Sequence, residues 1–269
     1  MNEGGIGGLR ELSLFSGAGG GLLGTKLLGW TAIGYVENNE YCQKVLRQRI
    51  ADGFLDAAPI FGDIRKFISE GYAASYQGMV DVLSAGFPCQ PFSVSGKRKG
   101  EEDSRNMWPE TIKSIREVKP KFCFLENVPG LIFHPYFKTI LSNLYEAGYD
   151  IDWPEIIAAA DVGASQIRER VWILAHSKCI DPSIPIRAEE KVNFPKAGWS
   201  RSAMGYDLPT WPPKRRDYAK WDEIRKIPDE SYFPGMAHGM AHRMDRIKAI
   251  GNGQVPAVVK TAWRLMGPQ

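Results

Sequence analysis

A cysteine that lies between two prolines is the residue of this sequence best placed to act as a nucleophile. Cys89 belongs to the run Pro88-Cys89-Gln90-Pro91, which follows an apolar segment, Val80–Ala85, that predicts a strand. An open α/β sheet places its ligands at the carboxyl ends of its strands. A thiolate there could attack an electrophilic carbon. Because a lone cysteine is more often a small buried apolar residue, this interpretation depends on its companions.

Two further segments supply an acid and two guanidinium groups. Glu126 follows the predicted strand Phe122–Leu125, and Arg168 and Arg170 precede the predicted strand Val171–Ala175. Each of these residues alone is usually an ordinary surface charge. Together with a strand-end cysteine, they provide a nucleophile, a proton donor and groups that stabilise negative charge.

A glycine-rich turn predicts a site for a ligand near the start of the chain. The predicted strand Leu12–Phe15 runs into Ser16-Gly17-Ala18-Gly19-Gly20-Gly21, and an apolar helical segment follows. Glycines allow close approach of the backbone to a ligand, and a helix N-terminus favours an anionic group. The spacing differs from that of the dinucleotide fingerprint, so the turn alone is weak evidence of function.

Two carboxylates lie where a nucleotide-like ligand would need them. Glu37 and Asn38 follow the predicted strand Thr31–Val36, at a position that holds ribose hydroxyls in nucleotide-binding folds. Asp63 and Ile64 could meet the exocyclic amine and the face of an adenine ring. Singly, such carboxylates are more often loop residues or helix caps.

The apolar pattern from Leu12 to about His176 predicts a parallel sheet flanked by helices. Helices are predicted over Tyr41–Ile50, Pro109–Val118 and Tyr136–Ala147, and again near Asp245 and over Pro256–Met266. Prolines interrupt the stretch 181–232, which predicts an irregular segment.

These motifs resemble, in type and in order, the blocks of the cytosine-5 DNA methyltransferases of bacteria, phages and eukaryotes. The matching blocks are Phe15 to Gly20, Pro88-Cys89-Gln90, Glu126-Asn127-Val128, Gln166-x-Arg168-x-Arg170, and Gly251-Asn252-Gly253-Gln254-Val255-Pro256. The resemblance spans nearly the whole chain. Ser13 departs from the pattern, because many members carry an acid at that position.

The resemblance implies an α/β, Rossmann-like fold that binds S-adenosylmethionine and releases S-adenosylhomocysteine. Its catalytic and cofactor-binding domain would span residues 1–177, completed by 245–269, with a small irregular target-recognition domain over 178–244. The expected cofactor-binding residues are Phe15, Ser16, Gly17, Gly19, Gly20, Glu37, Asn38, Asp63, Ile64, Pro88 and Asn252.

The implied reaction begins when the Cys89 thiolate adds to carbon-6 of cytosine, so that carbon-5 can attack the sulfonium methyl group. Glu126 would protonate or share a proton with ring N3, and Arg168 would hold the base oxygen and its developing charge. Arg170 completes the expected catalytic set. Because carbon-5 is stacked inside a duplex, the cytosine must be flipped out.

Duplex DNA is the expected partner, and a specific DNA sequence the expected target. Between Lys178 and Lys226, basic residues outnumber acidic ones by 11 to 7, whereas the whole chain carries only +3. Such a surplus can also be a solvated surface. The expected DNA-binding residues are Gln90, Ser93, Ser95, Lys97, Arg98, Arg201, Lys214, Arg215 and Arg216.

The cysteine, histidine and apolar content of the chain bears on disulfides, metal sites and membrane spans. Four unpaired cysteines without short spacings indicate neither a disulfide framework nor a zinc knuckle, and no apolar run of membrane-spanning length occurs. His238 and His242 have no third ligand nearby in sequence, so we expect no metal. We expect a cytoplasmic, nucleoid-associated monomer of a prokaryotic or phage-infected cell.

Two other functions stay open at this stage. A tRNA cytosine-5 methyltransferase uses the same chemistry, and a catalytically inactive DNA-binding or regulatory homologue would share the fold. The sequence does not give the recognised site. It also leaves open whether the methylation serves restriction-modification, phage self-modification or regulation.

Overall fold

The computed structural model of the chain describes residues 8–88, 106–164, 166–180 and 243–268. Within these ranges, eight strands form one sheet in the order β3-β2-β1-β4-β5-β8-β6, and β7 also pairs with β8. The strands are β1 Arg10–Leu14, β2 Thr31–Val36, β3 Ile60–Phe61, β4 Val82–Ala85, β5 Phe122–Asn127, β6 Tyr149–Ile151, β7 Glu155–Ala158 and β8 Glu169–Ser177. The helices are α1 Gly20–Lys26, α2 Glu40–Ala51, α3 Ile64–Ser69, α4 Tyr72–Ser75, α5 Trp108–Val118, α6 Tyr136–Glu146, α7 Arg243–Asn252 and α8 Pro256–Met266.

Five neighbouring strands of the sheet, β3, β2, β1, β4 and β5, are parallel to one another. Their order defines where a ligand can bind. From β1 the chain builds outward through β2 and β3 on one side, and through β4 and β5 on the other. The order therefore reverses between β1 and β4. In an open α/β sheet, the crevice for ligands opens beyond the carboxyl ends of the strands at this switch point.

The prediction of a parallel sheet is wrong for the last part of the sheet. Strand β8 runs antiparallel to β5, β6 and β7. The cause is local, since only ten residues, with a 3-10 turn at Ala159–Val162, connect β7 to β8. Parallel neighbours need a longer crossover, usually a helix. The reversal brings the start of β8 beside the end of β5, where Asn127 pairs with Val171 and Glu126 with Trp172.

Helices cover both faces of the sheet, as the α/β prediction requires. On one face, α3, α5 and α6 contribute Phe67, Ile115 and Ile140 to the larger core cluster. On the other face, Trp263 of the C-terminal helix lies edge-on to Trp30 and Phe124. All six residues of β5 are buried, because this strand is covered from both sides.

The predicted elements agree with the observed ones to within a few residues at each end. The prolines explain two helix starts, because Pro109 lies in the first turn of α5 and Pro256 begins α8. None of the described helices is long and apolar enough to cross a membrane. The division at residues 177 and 245 into two domains stays a prediction.

One acidic side chain lies inside the sheet instead of at its edge. Glu11 of β1 is 1% exposed. Its Oε2 accepts a 2.5 Å hydrogen bond from the Thr25 hydroxyl, and its Oε1 accepts one from the Ser84 hydroxyl. Burial raises the pKa of Glu11 to about 7, although these two hydrogen bonds oppose the shift. The fold therefore favours the protonated acid.

We predict that Glu11 makes the protein less stable as the pH rises. The folded-state pKa of about 7 lies above the ordinary value of 4.5. Stability from the bound proton is therefore fully present below pH 4.5 and is lost as the pH rises through about 7. The variant Glu11→Gln stays neutral, so its unfolding free energy relative to the wild type should increase by up to about 3 kcal/mol between pH 5 and pH 8. Urea unfolding at several pH values measures this difference.

The control is Glu70→Gln, since Glu70 is exposed at the end of α3. Its difference from the wild type should not depend on pH. Parallel pH profiles for wild type and Glu11→Gln would show that the buried carboxyl carries no such penalty.

Candidate active site

A cavity of about 390 Å³ opens at the carboxyl ends of β1, β4 and β5. This is the crevice that the strand order defines, and its volume lies in the range of small-molecule sites. Its lining joins the glycine turn, the end of β2, the entrance to the cysteine loop and the end of β5. The lining residues used below are Phe15, Gly17, Glu37, Asn38, Phe87, Pro88, Glu126, Asn127, Arg170 and Asn252.

The turn after β1 is held in an unusual backbone conformation. Phe15, Gly17 and Gly19 have φ values of 54°, 54° and 87°, a region that a non-glycine residue such as Phe15 rarely adopts. Strain of this kind clusters at ligand sites when the surrounding structure enforces it. Here the Ser16 hydroxyl donates to the Ser13 carbonyl and closes the turn.

The carboxylate of Glu37 is fixed by two backbone donors. Its Oε2 accepts from the Gly17 N–H at 2.7 Å, and its Oε1 accepts from the Asn39 N–H at 2.8 Å. Glu37 is 8% exposed and lines the cavity. The bonds tie the end of β2 to the glycine turn, and they orient a carboxylate whose remaining lone pairs can accept from ligand hydroxyls. The residues present therefore fit a ligand that carries a ribose.

Asp63 and Ile64 have structural contacts outside this cavity. The Asp63 carboxylate caps α3 by accepting from the Arg65 N–H at 2.8 Å, and Ile64 is 5% exposed in the core. Neither residue lines the cavity of about 390 Å³. Contact of Asp63 and Ile64 with an adenine ring stays a prediction.

Glu126, at the end of β5, is an acid that lines the cavity and is bound by two side chains. It is 8% exposed; its Oε1 forms a 2.9 Å ion pair with Arg170 Nε, and its Oε2 accepts from Gln254 Nε2 at 3.1 Å. Burial raises the pKa of Glu126, while the bond from Gln254 and the nearby arginines oppose the rise. A carboxyl group with a raised pKa and a cationic neighbour is suited to proton transfer near neutral pH.

The two arginines of the Gln166-x-Arg168-x-Arg170 block, which runs into the start of β8, have different partners. Arg170 contacts Glu126, whereas the Arg168 guanidinium donates to the carbonyl oxygens of Gly251 and Gly253, at 2.8 and 2.5 Å. Arg168 also has a φ of 38°. The geometry therefore favours Arg170 over Arg168 as the group that faces a bound base, and Arg168 as the group that holds the end of α7.

Asn127 connects β5 to the segment that leads into Cys89. Its side-chain amide donates to the Phe87 carbonyl at 2.9 Å, and its Oδ1 accepts from the Val128 N–H at 2.8 Å. Asn127 is 5% exposed, so these bonds are shielded from water. They fix the backbone two residues before Cys89, and Pro88 lines the same cavity as Glu126.

Several predicted site residues lie outside the described residues. They are Cys89, Gln90, Ser93, Ser95, Lys97, Arg98, Arg201, Lys214, Arg215 and Arg216, as well as His238 and His242. Their assignments stay predictions. Among the described residues, no group of three or more His, Cys, Asp or Glu side chains could hold a metal ion.

Sequence reasoning missed two residues near the site. Gln254 was recognised only as a member of the Gly-Asn-Gly-Gln-Val-Pro block, without a role. Glu11 was not singled out, although a charged residue within an apolar strand indicates a buried polar contact. The hydroxyl groups that bind the Glu11 carboxyl belong to Thr25 and Ser84. Both residues are distant from Glu11 in sequence, so only the fold reveals the cluster.

The fold and the arrangement of the site are those of an α/β enzyme that binds its ligands at the switch point. A family model, the C-5 cytosine-specific DNA methylase, matches residues 9–251. The chain therefore belongs to the C-5 cytosine-specific DNA methylase family.

Curated relatives include two Type II methyltransferases. M.NgoMIV of Neisseria gonorrhoeae is 36% identical over 168 residues, which are 61% of this chain and 51% of that protein. M.HpaII of Haemophilus parainfluenzae is 38% identical over 184 residues, 63% of this chain and 48% of that protein. The chain thus spans about half the length of these relatives.

Solved structures share the fold at lower identity. A mutant of Spodoptera frugiperda DNMT2 has a TM-score of 0.52 and 19% identity, over 68% of this chain and 54% of that one. The Entamoeba histolytica methyltransferase EhMeth has a TM-score of 0.52 and 22% identity, over 67% and 55%. These likenesses confirm the predicted α/β, Rossmann-like fold.

We predict that Arg168→Met and Arg170→Met differ in the pH dependence of their effect on stability. Without Arg170 the buried Glu126 carboxylate loses its cation, which for buried pairs costs roughly 3 kcal/mol. The folded-state pKa of Glu126 then rises further, so the loss should grow as the pH rises and be small at acidic pH, where Glu126 is protonated. Arg168→Met should cost about 1–2 kcal/mol for two hydrogen bonds to neutral carbonyls. Its pH dependence should be weaker, because Arg168 acts on Glu126 only through its charge and forms no bond with it.

Equilibrium urea unfolding of both variants between pH 5 and pH 8 measures these costs. The two variants serve as controls for each other, because each removes one guanidinium from the same segment. An equal, pH-independent loss in both would contradict the assignment of Arg170 to Glu126.

Proposed function

We propose that the protein methylates carbon-5 of a cytosine flipped out of a specific duplex DNA sequence, with S-adenosylmethionine as the methyl donor. The observation that carries the proposal is one cavity lined by Glu37, by Pro88 of the cysteine loop and by the Glu126–Arg170 pair. The proposed ribose ligand, the residue before the proposed nucleophile and an acid thus line the same cavity. Membership of the family supports the reaction type.

The chain's residues would hold the cofactor from two sides. Glu37 would accept from ribose hydroxyls, the strained turn from Phe15 to Gly20 would hold the amino-acid end, and Asn38 and Asn252, which line the same cavity, would complete the site. When bound, S-adenosylmethionine supplies an electrophilic methyl group on sulfur. The described turn has its backbone fixed in advance, which reduces the ordering that binding requires.

The reaction then depends on protons and charge at the base. The Cys89 sulfur forms a bond to carbon-6 while Glu126 protonates N3, and the resulting enamine makes carbon-5 nucleophilic. Arg170 stabilises the charge that develops on the base oxygen and holds Glu126 in place. After carbon-5 receives the methyl group, a base removes its proton, the bond from carbon-6 to sulfur breaks, and N3 returns its proton.

DNA contacts would come from residues outside the described ranges. Gln90, Ser93, Ser95, Lys97 and Arg98 follow the nucleophile in sequence and would contact the duplex next to the flipped cytosine. Arg201 and the run Lys214-Arg215-Arg216 lie in the basic recognition segment, where lysines suit phosphates and arginines suit phosphates or guanine edges. Type II methyltransferases among the relatives support a role in the modification of bacterial or phage DNA.

The test is a covalent trap with a matched cysteine control. A duplex with 5-fluorocytosine in place of cytosine should form an adduct with the protein in the presence of S-adenosylmethionine, because fluorine at carbon-5 prevents the last elimination. Peptide mass spectrometry should locate the adduct on Cys89. Cys89→Ser should abolish it, whereas Cys179→Ser, which changes an exposed thiol, should leave it intact.

Methyl transfer from a labelled cofactor to duplex DNA and to tRNA separates the remaining functions. We expect transfer to duplex DNA, lowered about 10²- to 10⁴-fold in Glu126→Gln because the general acid is lost. Exclusive labelling of tRNA would replace DNA with tRNA as the substrate. Duplex binding without any transfer or adduct would identify an inactive DNA-binding homologue. Mapping the methylated cytosines would then give the recognised sequence.

A further inference from the structure

Gln254 lies between three parts of the site that are far apart in sequence. It belongs to the short segment between α7 and α8, and three glycines leave room for it. A Cβ at Gly20 would lie 2.5 Å from the Gln254 carbonyl oxygen, and one at Gly21 would overlap the side-chain Oε1. A Cβ at Gly86 would lie 3.0 Å from Gln254 Nε2. The glycine turn and the end of β4 therefore both approach this side chain closely.

The same side chain reaches the catalytic acid. Gln254 Nε2 donates to Glu126 Oε2 at 3.1 Å, on the carboxylate oxygen that Arg170 does not contact. A Cβ at Gly86 would also lie 2.9 Å from this Oε2, so a glycine at this position leaves the room that the carboxyl group occupies. Glu126 is thus held by a cation on one oxygen and by an amide on the other.

We propose that Gln254 is a positioning residue for Glu126, which holds the carboxylate form directed into the base pocket. A carboxamide suits this task because its N–H donates a hydrogen bond without adding a second charge. Gln254 Nε2 makes this bond to the oxygen that Arg170 leaves free. A methionine or leucine of similar size would fill the space without the bond.

Arg168 fixes the segment from which Gln254 projects. Its guanidinium binds the carbonyl oxygens of Gly251 and Gly253, at the carboxyl end of α7, where a cation also favours the helix dipole. The block from Gln166 to Arg170 therefore holds Glu126 twice, directly through Arg170 and indirectly through Arg168 and Gln254. The bonds from Arg168 fix the backbone next to Gln254, and so fix the distance from that backbone to Glu126 that the Gln254 side chain must span.

The inference rests on the proposed function for its chemistry, so its test includes a readout that needs no substrate. Carbon-13 labelling of glutamate side chains, with Glu126→Gln to assign the signal, gives the pKa of Glu126 in the free protein by NMR. The hydrogen bond from Gln254 lowers that pKa. In Gln254→Met the pKa should therefore rise by about one unit, the size expected for a hydrogen bond to a charged group. Gln48→Met, on the exposed face of α2, should leave it unchanged.

Kinetics should show the same shift in the active enzyme. In Gln254→Met we expect kcat to fall about tenfold and the alkaline limb of its pH profile to move up by about one unit, with the KM for DNA little changed. Gln254→Asn keeps the amide, but its side chain is too short to reach Glu126, so this variant should show the same changes as Gln254→Met. It also replaces the methionine variant in the test if that variant does not fold. A purely space-filling glutamine would lower stability without moving either pH readout.

The two proposals can fail separately. If the wild type methylates cytosine but the Glu126 pKa and the kcat profile stay the same in both Gln254 variants, the positioning role is wrong. If the wild type transfers no methyl group, the proposed reaction is wrong, and the NMR titration still decides whether Gln254 controls Glu126.

Discussion

The site depends on one constraint, which is that the Glu126 carboxyl group must be buried and still reachable from the cavity. A carboxylate removed from water is costly unless charges and hydrogen bonds replace its hydration. Here Arg170 supplies the charge at 2.9 Å and Gln254 the hydrogen bond at 3.1 Å. These partners come from β8 and from the segment after α7, so burial of one acid requires that distant parts of the chain meet.

The sheet brings these parts together through its one reversal of direction. A parallel β8 would carry its first residues to the opposite edge from the end of β5. Because β8 is antiparallel, Asn127 at the end of β5 faces Val171 near the start of β8, and Arg170 comes beside Glu126. The same edge holds the glycine turn after β1 and Phe87 after β4. The Asn127 amide binds the Phe87 carbonyl there and fixes this residue beside the end of β5.

The sequence predicted the parts of this arrangement that follow from local pattern. Apolar runs located the strands, proline located the starts of α5 and α8, and the glycine turn after β1 was recognised from its composition. The sequence did not predict which arginine faces Glu126. Arg168 is distinguished from Arg170 by its backbone φ of 38° and by its bonds to Gly251 and Gly253, which lie more than eighty residues further along the chain. The role of Gln254 was not predicted for the same reason, since its partner Glu126 lies 128 residues earlier.

Glu11 and Glu126 show why burial alone does not identify a catalytic acid. Both carboxyl groups are buried, and burial raises the pKa of both. Glu11 accepts from the neutral hydroxyls of Thr25 and Ser84 inside the sheet, and it does not line the cavity of about 390 Å³. Glu126 instead meets a guanidinium and a carboxamide at the wall of that cavity, and these partners stabilise its charged form against the effect of burial. A proton donor to ring N3 must reach the base. Position at the cavity wall, and not burial, therefore distinguishes Glu126 from Glu11.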